Sequence, residues 1–147
     1  MIIKKATLKD KEKLVKTVEE LIEEDKNLDH FSPHYKDPKY YEEQYIKNEK
    51  YDVITLEEKQ TITGYIIGKK KTNNIYTIEM HYVIPRKRGQ GIAKKLKKAL
   101  EEHARNQGFK LITSYASIDN HASIKLNEHT NYKQETIGNY VYFKKEL

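Results

Sequence analysis

The stretch Tyr82-Val83-Ile84-Pro85-Arg86-Lys87-Arg88-Gly89-Gln90-Gly91-Ile92-Ala93 constrains the fold more than any other. It follows a run, Ile75–Ile84, rich in β-branched and aromatic residues, which reads as a central strand that Pro85 ends. From Gly91 the period changes: Ile92, Leu96, Ala99, Leu100, His103 and Ala104 share one helical face, and Gly108 sits where a helix-terminating glycine belongs. Phe109–Tyr115 then reads as a further strand. A strand, a glycine loop, a helix and a strand make one crossover unit. Such a unit sets two strands parallel and puts a helix N-terminus at the end of the first. The loop is an anion cradle in the making. Gly89 and Gly91 allow close backbone approach, the first helical turn offers unpaired N–H groups at the positive end of the helix dipole, and Arg86, Lys87, Arg88, Lys94 and Lys95 add charge. It is neither a Walker A loop nor a complete Gly-x-Gly-x-x-Gly fingerprint.

The rest of the chain supplies a mixed sheet around that unit. Ile2-Ile3 opens a short strand, and Thr7 with Asp10 resembles a capping box before an amphipathic helix over 8–24 that carries Leu14, Val15, Val18, Leu21 and Ile22. Residues 25–37 have loop chemistry, and Pro38 suits the first turn of a helix over 38–47. Asp52–Leu56 and Thr61–Gly68 read as a hairpin across 57–60, with a second turn at Asn73-Asn74. Residues 121–130 suggest a short helix, and Tyr132–Thr136 and Tyr140–Lys144 two closing strands. The order β-α-α-β-β-β-α-β-α-β-β predicts an α/β mixed sheet with helices on its faces, in one domain spanning 1–147.

Composition narrows the function. There is no cysteine, which excludes disulfides, thiolate metal sites and a cysteine nucleophile and suits a reducing cytoplasm. The N-terminus has no signal-like apolar region and no run of about 18 apolar residues exists, so a secretory leader and a membrane span are not expected. His30 and His34 would share a helical face, but their loop setting argues against a metal site. The net charge of +6 favours a polyanionic partner, and its distribution is uneven. Residues 86–98 hold seven bases and no acid, whereas 19–49 hold ten acids against four lysines.

Arg88-Gly89-Gln90-Gly91-Ile92-Ala93 resembles the Gln/Arg-x-x-Gly-x-Gly/Ala signature of the GNAT superfamily of N-acetyltransferases, and Val83-Ile84-Pro85 resembles the strand end that precedes it. Asn120 to Tyr132 resembles a second GNAT segment, Asn-x-x-Ala-Ile-x-x-Tyr-Glu-x-x-Gly-Phe. The resemblance in element order covers essentially the whole chain. It implies a V-shaped split between two central parallel strands that takes the pantetheine arm of acetyl-coenzyme A. Tyr82, Val83 and Ile84 would pair with that arm through their backbone. The N–H groups of Arg88, Gly89, Gln90, Gly91, Ile92 and Ala93 would hold the pyrophosphate, and Asn120 and Ser123 would lie along the arm. The implied activity is direct transfer of an acetyl group to an amine, with no metal. Pairing into homodimers is common among such proteins.

The chemistry needs a base for the amine, a polarised carbonyl and a route for the thiolate. Glu79 is the preferred base and His81 the second candidate; alternation places both on one face of the strand. A backbone N–H near Tyr82 or Val83 would polarise the carbonyl. At the position where the family commonly has a tyrosine acid, this chain has Asn127, and Asn131 replaces a glycine. An amide cannot give up a proton. Either the thiolate leaves unassisted, or Tyr115, Ser123 or Tyr132 substitutes, or the protein is a weak catalyst that senses acetyl-coenzyme A. The acidic 19–49 region suggests a cationic acceptor, such as a polyamine or a lysine-containing peptide. A nucleic-acid-binding module is the rival class, but confinement of the basic residues to one loop and helix argues against it.

Overall fold

The computed structural model describes residues 1–24 and 34–147. Seven strands form one sheet in the order β1-β2-β3-β4-β5-β7-β6. They are β1 (Ile2–Lys5), β2 (Tyr51–Glu58), β3 (Thr61–Lys70), β4 (Ile75–Val83), β5 (Leu111–Ser117), β6 (Lys133–Ile137) and β7 (Tyr140–Glu146). Among the described residues only β4 and β5 run parallel, the other neighbouring strands being antiparallel. The helices are α1 (Lys11–Glu24), α2 (Pro38–Tyr41), α3 (Ile92–Asn106) and α4 (His121–His129).

The expected elements are present, with local differences. The first helix opens as a 3-10 turn over Leu8–Asp10, where the Asp10 carboxylate accepts from the Thr7 N–H at 2.8 Å. The helix expected over 38–47 changes after Tyr41 to a π turn, Glu42–Ile46, closed by Lys47 N–H to Glu42 O at 2.8 Å. Residues 25–33 of the expected loop, His30 among them, lie outside the described residues. The β2–β3 hairpin turns on Lys59 and Gln60, both with positive φ, the conformation that suits the twist of a two-residue hairpin. Leu111, not Phe109, begins β5, because Phe109 and Gly108 bond back to α3 through Ala104 O and Arg105 O.

Two cores sit on opposite faces of the sheet. On one face Ile92, Leu96, Leu100 and Ala104 of α3 pack with Ile54, Ile66, Tyr76, Ile78, Ile112 and Phe143, and α4 adds Ile124. On the other, Leu14, Val18 and Leu21 of α1 and Tyr41 and Tyr45 pack on Val53, Tyr65 and Ile67. Leu96 and Leu100 are fully buried, and truncating either to alanine removes about 2–5 kcal/mol.

In two ways β4 departs from a regular central strand. Its pairing with β3 shifts register, Ile67 facing Met80 but Gly68 facing Ile78, so Glu79 is an inserted bulge residue. Gly68 is required beside the bulge, since a Cβ there would lie 2.3 Å from the Tyr76 ring. On its other edge β4 pairs with β5 only at Ile75–Thr77 with Leu111–Thr113. Beyond that seam the strands separate: Ile78–Val83 keep β3 alone and Ser114–Ser117 keep β7 alone.

Candidate active site

The separated edges of β4 and β5 form a wedge. Its closed end is stitched by Thr77 Oγ1 donating to Thr113 O at 3.2 Å. Among the described residues its walls, Ile78–Val83 and Ser114–Ser117, have no strand partner across the wedge, an edge that an extended amide-containing chain can enter like an added strand. At the open end, β4 passes through Pro85–Lys87 into the glycine loop, with Gly89 at φ +78° and Gly91 at φ +81°. Gly91 is the N-cap of α3 and has no side chain to cap it. Lys95 makes the first helical bond, to Gly91 O at 3.1 Å, so the N–H groups of Ile92, Ala93 and Lys94 have no partner within the helix. A Cβ built on Gly89 or Gly91 meets nothing within 4 Å. The loop is therefore an open concavity of N–H groups at a helix N-terminus, which fits a pyrophosphate. A cleft of about 400 Å³ lies alongside α3, lined by Lys94, Lys98, Glu101 and Arg105 on one side and Asn131 and Lys145 on the other.

Within the loop, Arg88 donates from Nε to Val83 O at 3.0 Å, so its guanidinium bridges the loop to the end of β4. Ile84 is buried with its N–H bonded to Thr63 O at 2.9 Å. Tyr82 packs its ring 5.7 Å from that of Tyr65 on the α1 side, and Gln90 is exposed. Asn120 caps α4, accepting from Ser123 N–H at 3.1 Å, and Asn131 has φ +68°, the left-handed backbone of the glycine it stands for.

The structure separates the two candidate bases. Strict alternation put Glu79 and His81 on one face; the bulge at Glu79 turns the phase, and they lie on opposite faces. His81 faces α3, where Nε2 donates to Ala93 O at 3.0 Å. Burial, with the nearby charge of Lys97, lowers its pKa to about 4, so it is neutral and its Nε2 is committed. Glu79 is exposed on the α1 side, at the floor of a cavity of about 660 Å³ that begins at the seam between Thr77 and Thr113. Burial first, then its contacts with Tyr40, raise the Tyr45 phenol above its usual range.

Asn127 is 2% exposed and occupied on both sides. Its Nδ2 donates to Ser123 O at 2.8 Å, and its Oδ1 accepts from the Lys97 ammonium. Lys97 is itself 2% exposed, with Nζ 3.9 Å from the centre of the Tyr132 ring. Burial lowers the Lys97 pKa to about 8; Glu101 opposes that shift and Lys145 assists it. Of the three hydroxyls weighed as substitutes, Ser123 Oγ accepts from Asn127 Nδ2 at 3.5 Å. Tyr132 donates to Glu101 Oε2 at 2.5 Å, and burial and that carboxylate raise its phenol. Tyr115 lies on the opposite face, in the cavity with Glu79. Sequence reasoning missed Lys97. Its place on the apolar face of α3, one turn from Ala93 and between Leu96 and Leu100, was the available signal.

The family model described as Acetyltransferase (GNAT) family matches residues 15–132. The chain belongs to the GNAT family of acetyltransferases. Among solved structures, this GNAT chain superposes on ribosomal-protein-alanine N-acetyltransferase from Brucella melitensis with a TM-score of 0.82 at 19% identity, covering 100% of both chains. PaiA N-acetyltransferase from Thermoplasma acidophilum, in complex with coenzyme A, gives 0.76 at 17%, covering 99% and 98%. YncA from Salmonella typhimurium, with its cofactor acetyl-CoA, gives 0.78 at 18%, covering 99% and 93%. At these identities the likeness is one of fold. No curated protein matches by sequence. No described helix is long and apolar enough to cross a membrane, and among the described residues no group of three or more His, Cys, Asp or Glu stands together to hold a metal.

Proposed function

We propose that the protein transfers an acetyl group from acetyl-coenzyme A directly to an amine. The observation that carries this reading is the wedge between β4 and β5 leading to the free N–H groups at the start of α3. When bound, acetyl-coenzyme A supplies a thioester carbonyl that an amine can attack. The N–H groups of Ile92, Ala93 and Lys94, with the Gly89–Gly91 loop, hold the pyrophosphate. The open edges of Tyr82 and Val83 pair with the pantetheine arm, alongside Asn120 and Ser123. Glu79 accepts the proton of the attacking amine, directly or through water, from the face opposite α3. A backbone N–H on the open edge of β4 polarises the carbonyl.

Lys97 takes the role that Asn127 cannot. Its Nζ would hold a proton for the leaving thiolate when the amine takes the acetyl group, and water would return a proton to Lys97. Asn127 is its positioning residue, because an ammonium can only donate and so fixes the amide with Oδ1 toward Lys97.

The test is a thermal melt with and without acetyl-coenzyme A, together with a Gly91→Glu variant. A rise in melting temperature that the variant abolishes supports the reading, and release of free thiol on adding amines completes it. Binding without thiol release from any amine would favour a sensor of acetyl-coenzyme A. No shift at millimolar concentration would overturn the reading.

A further inference from the structure

The cavity that holds Glu79 has a charge pattern of its own. It lies on the α1 side of the sheet, where, among the described residues, α1 and α2 pack on the β1–β4 half and not on β5, β7 and β6. One register row crosses five strands there: Lys69 pairs with Thr77, Thr77 with Thr113, Thr113 with Lys144, and Lys144 with Lys133. The two threonines lie at the centre of the row, and lysines stand on both flanks. Lys71 also lines the cavity, so four lysines face two glutamates, Glu79 and Glu135. None of the four lysines has a carboxylate partner among the described residues. The described acids of residues 19–49 do not line the cavity, and two of them are already paired: Glu20 with Arg86 at 2.8 Å, and Glu42 with Lys11 at 3.1 Å. Above the row stand Tyr115 and Tyr142, their ring centres 6.1 Å apart and both exposed.

We infer that the acceptor is an amine that also carries an anionic group, a carboxylate or a phosphate, which the lysine row holds while the amine lies at Glu79. This rests on the acetyltransferase reading and names the substrate class of the same site. The two faces of the wedge divide the work: the glycine loop and α3 take the acyl donor from one side, so the acceptor comes from the other, through this cavity. There, a second ammonium on the acceptor would face four lysines against two glutamates, none of the four ion-paired to a described carboxylate, whereas an anion gains their attraction. The row lies two strand positions from Glu79, roughly 7 Å along β4. The anion and the amine are therefore separated by a spacer of several bonds, with Tyr115 and Tyr142 beside it.

A matched series tests this: 6-aminohexanoate, 6-aminohexyl phosphate, 6-amino-1-hexanol and 1,6-diaminohexane, each titrated calorimetrically into the protein alone and into the protein saturated with coenzyme A. The expected result is that at least one anionic amine binds about tenfold tighter than the alcohol, and the diamine weakest of all. The better of the two anionic compounds identifies carboxylate or phosphate. Lys144→Glu with Lys133→Glu should remove the preference, and 0.5 M salt should compress it. A diamine or alcohol that binds as tightly as both anionic amines, or no binding of any of the four, overturns the inference. Failure of coenzyme A itself to bind counts against the acetyltransferase reading instead, and the titrations of the protein alone still report the charge preference.

Discussion

The Lys97 ammonium donates to Asn127 Oδ1 between α3 and α4, and each side chain is 2% exposed. A lysine so placed costs stability unless its charge is used or compensated, and the compensation here is partial: one amide oxygen, the face of Tyr132 and, further off, Glu101. A proton donor must be protonated to act, and burial lowers the Lys97 pKa to about 8. Saturated turnover should therefore fall as the pH rises through about 8. Lys97→Met should lower kcat about 100-fold and abolish that basic limb, with the affinity for coenzyme A retained. A Lys97→Met enzyme that keeps the wild-type pH profile would assign the residue to packing alone.

Asn127→Tyr supplies a side chain that can lose a proton but displaces the Lys97 contact. Combined with Lys97→Met, it should recover part of the turnover lost in Lys97→Met alone and move the basic limb upward. Measured as a double-mutant cycle on kcat, the two sites should be strongly non-additive.

Glu79 and His81 are two residues apart in sequence and on opposite faces of β4. Glu79→Gln should cost about 100-fold in kcat/KM, with coenzyme A affinity unchanged. His81→Asn should leave the acid limb of the pH–rate profile where it is, since a histidine with a pKa of about 4 changes charge below the working range. Loss of the acid limb in His81→Asn, and not in Glu79→Gln, would reverse the assignment of the base.

A separate network ties β2 to α3. The buried Asp52 carboxylate accepts from Tyr76 Oη at 2.8 Å and lies 3.2 Å from His103 Nε2 and 3.0 Å from Lys5 Nζ. Burial alone would raise its pKa, but His103, Tyr76 and Lys5 together hold it below the usual carboxylate range. A carboxylate depressed in the folded state stabilises the fold at pH values above its unfolded pKa, near 4, and that stability is lost as the pH falls through the folded value. Asp52→Asn should lower stability at neutral pH by about 1–3 kcal/mol and flatten its acid dependence, read by urea titration at several pH values.

Periodicity and turn chemistry made most of this fold legible. The 3.6-residue pattern from Ile92 to Ala104, Pro85 before it and Gly108 after it fixed the crossover unit, and the glycine loop marked the anion site. What the sequence hid was local and three-dimensional. A β-bulge leaves no trace in alternation, so the faces of Glu79 and His81 could not be read from their spacing. The lysine row depends on pairing between strands far apart in sequence, from Lys69 to Lys133. Lys97 looked like one more base in a basic segment, because charge on a helix gives no hint that its neighbour across the packing is Asn127.

The seam between β4 and β5 is only three residue pairs long and ends at Thr77 and Thr113. From there the open edge runs six residue steps to Val83, roughly 20 Å at the usual strand rise. Depth in such a wedge is quantised. Zipping one more pair would shorten the channel by about 3 Å, and breaking the Thr77–Thr113 stitch would lengthen it. The pairing register of two strands thus acts as a length gauge for whatever extended chain enters between them, set by the backbone and independent of the side chains that line its walls.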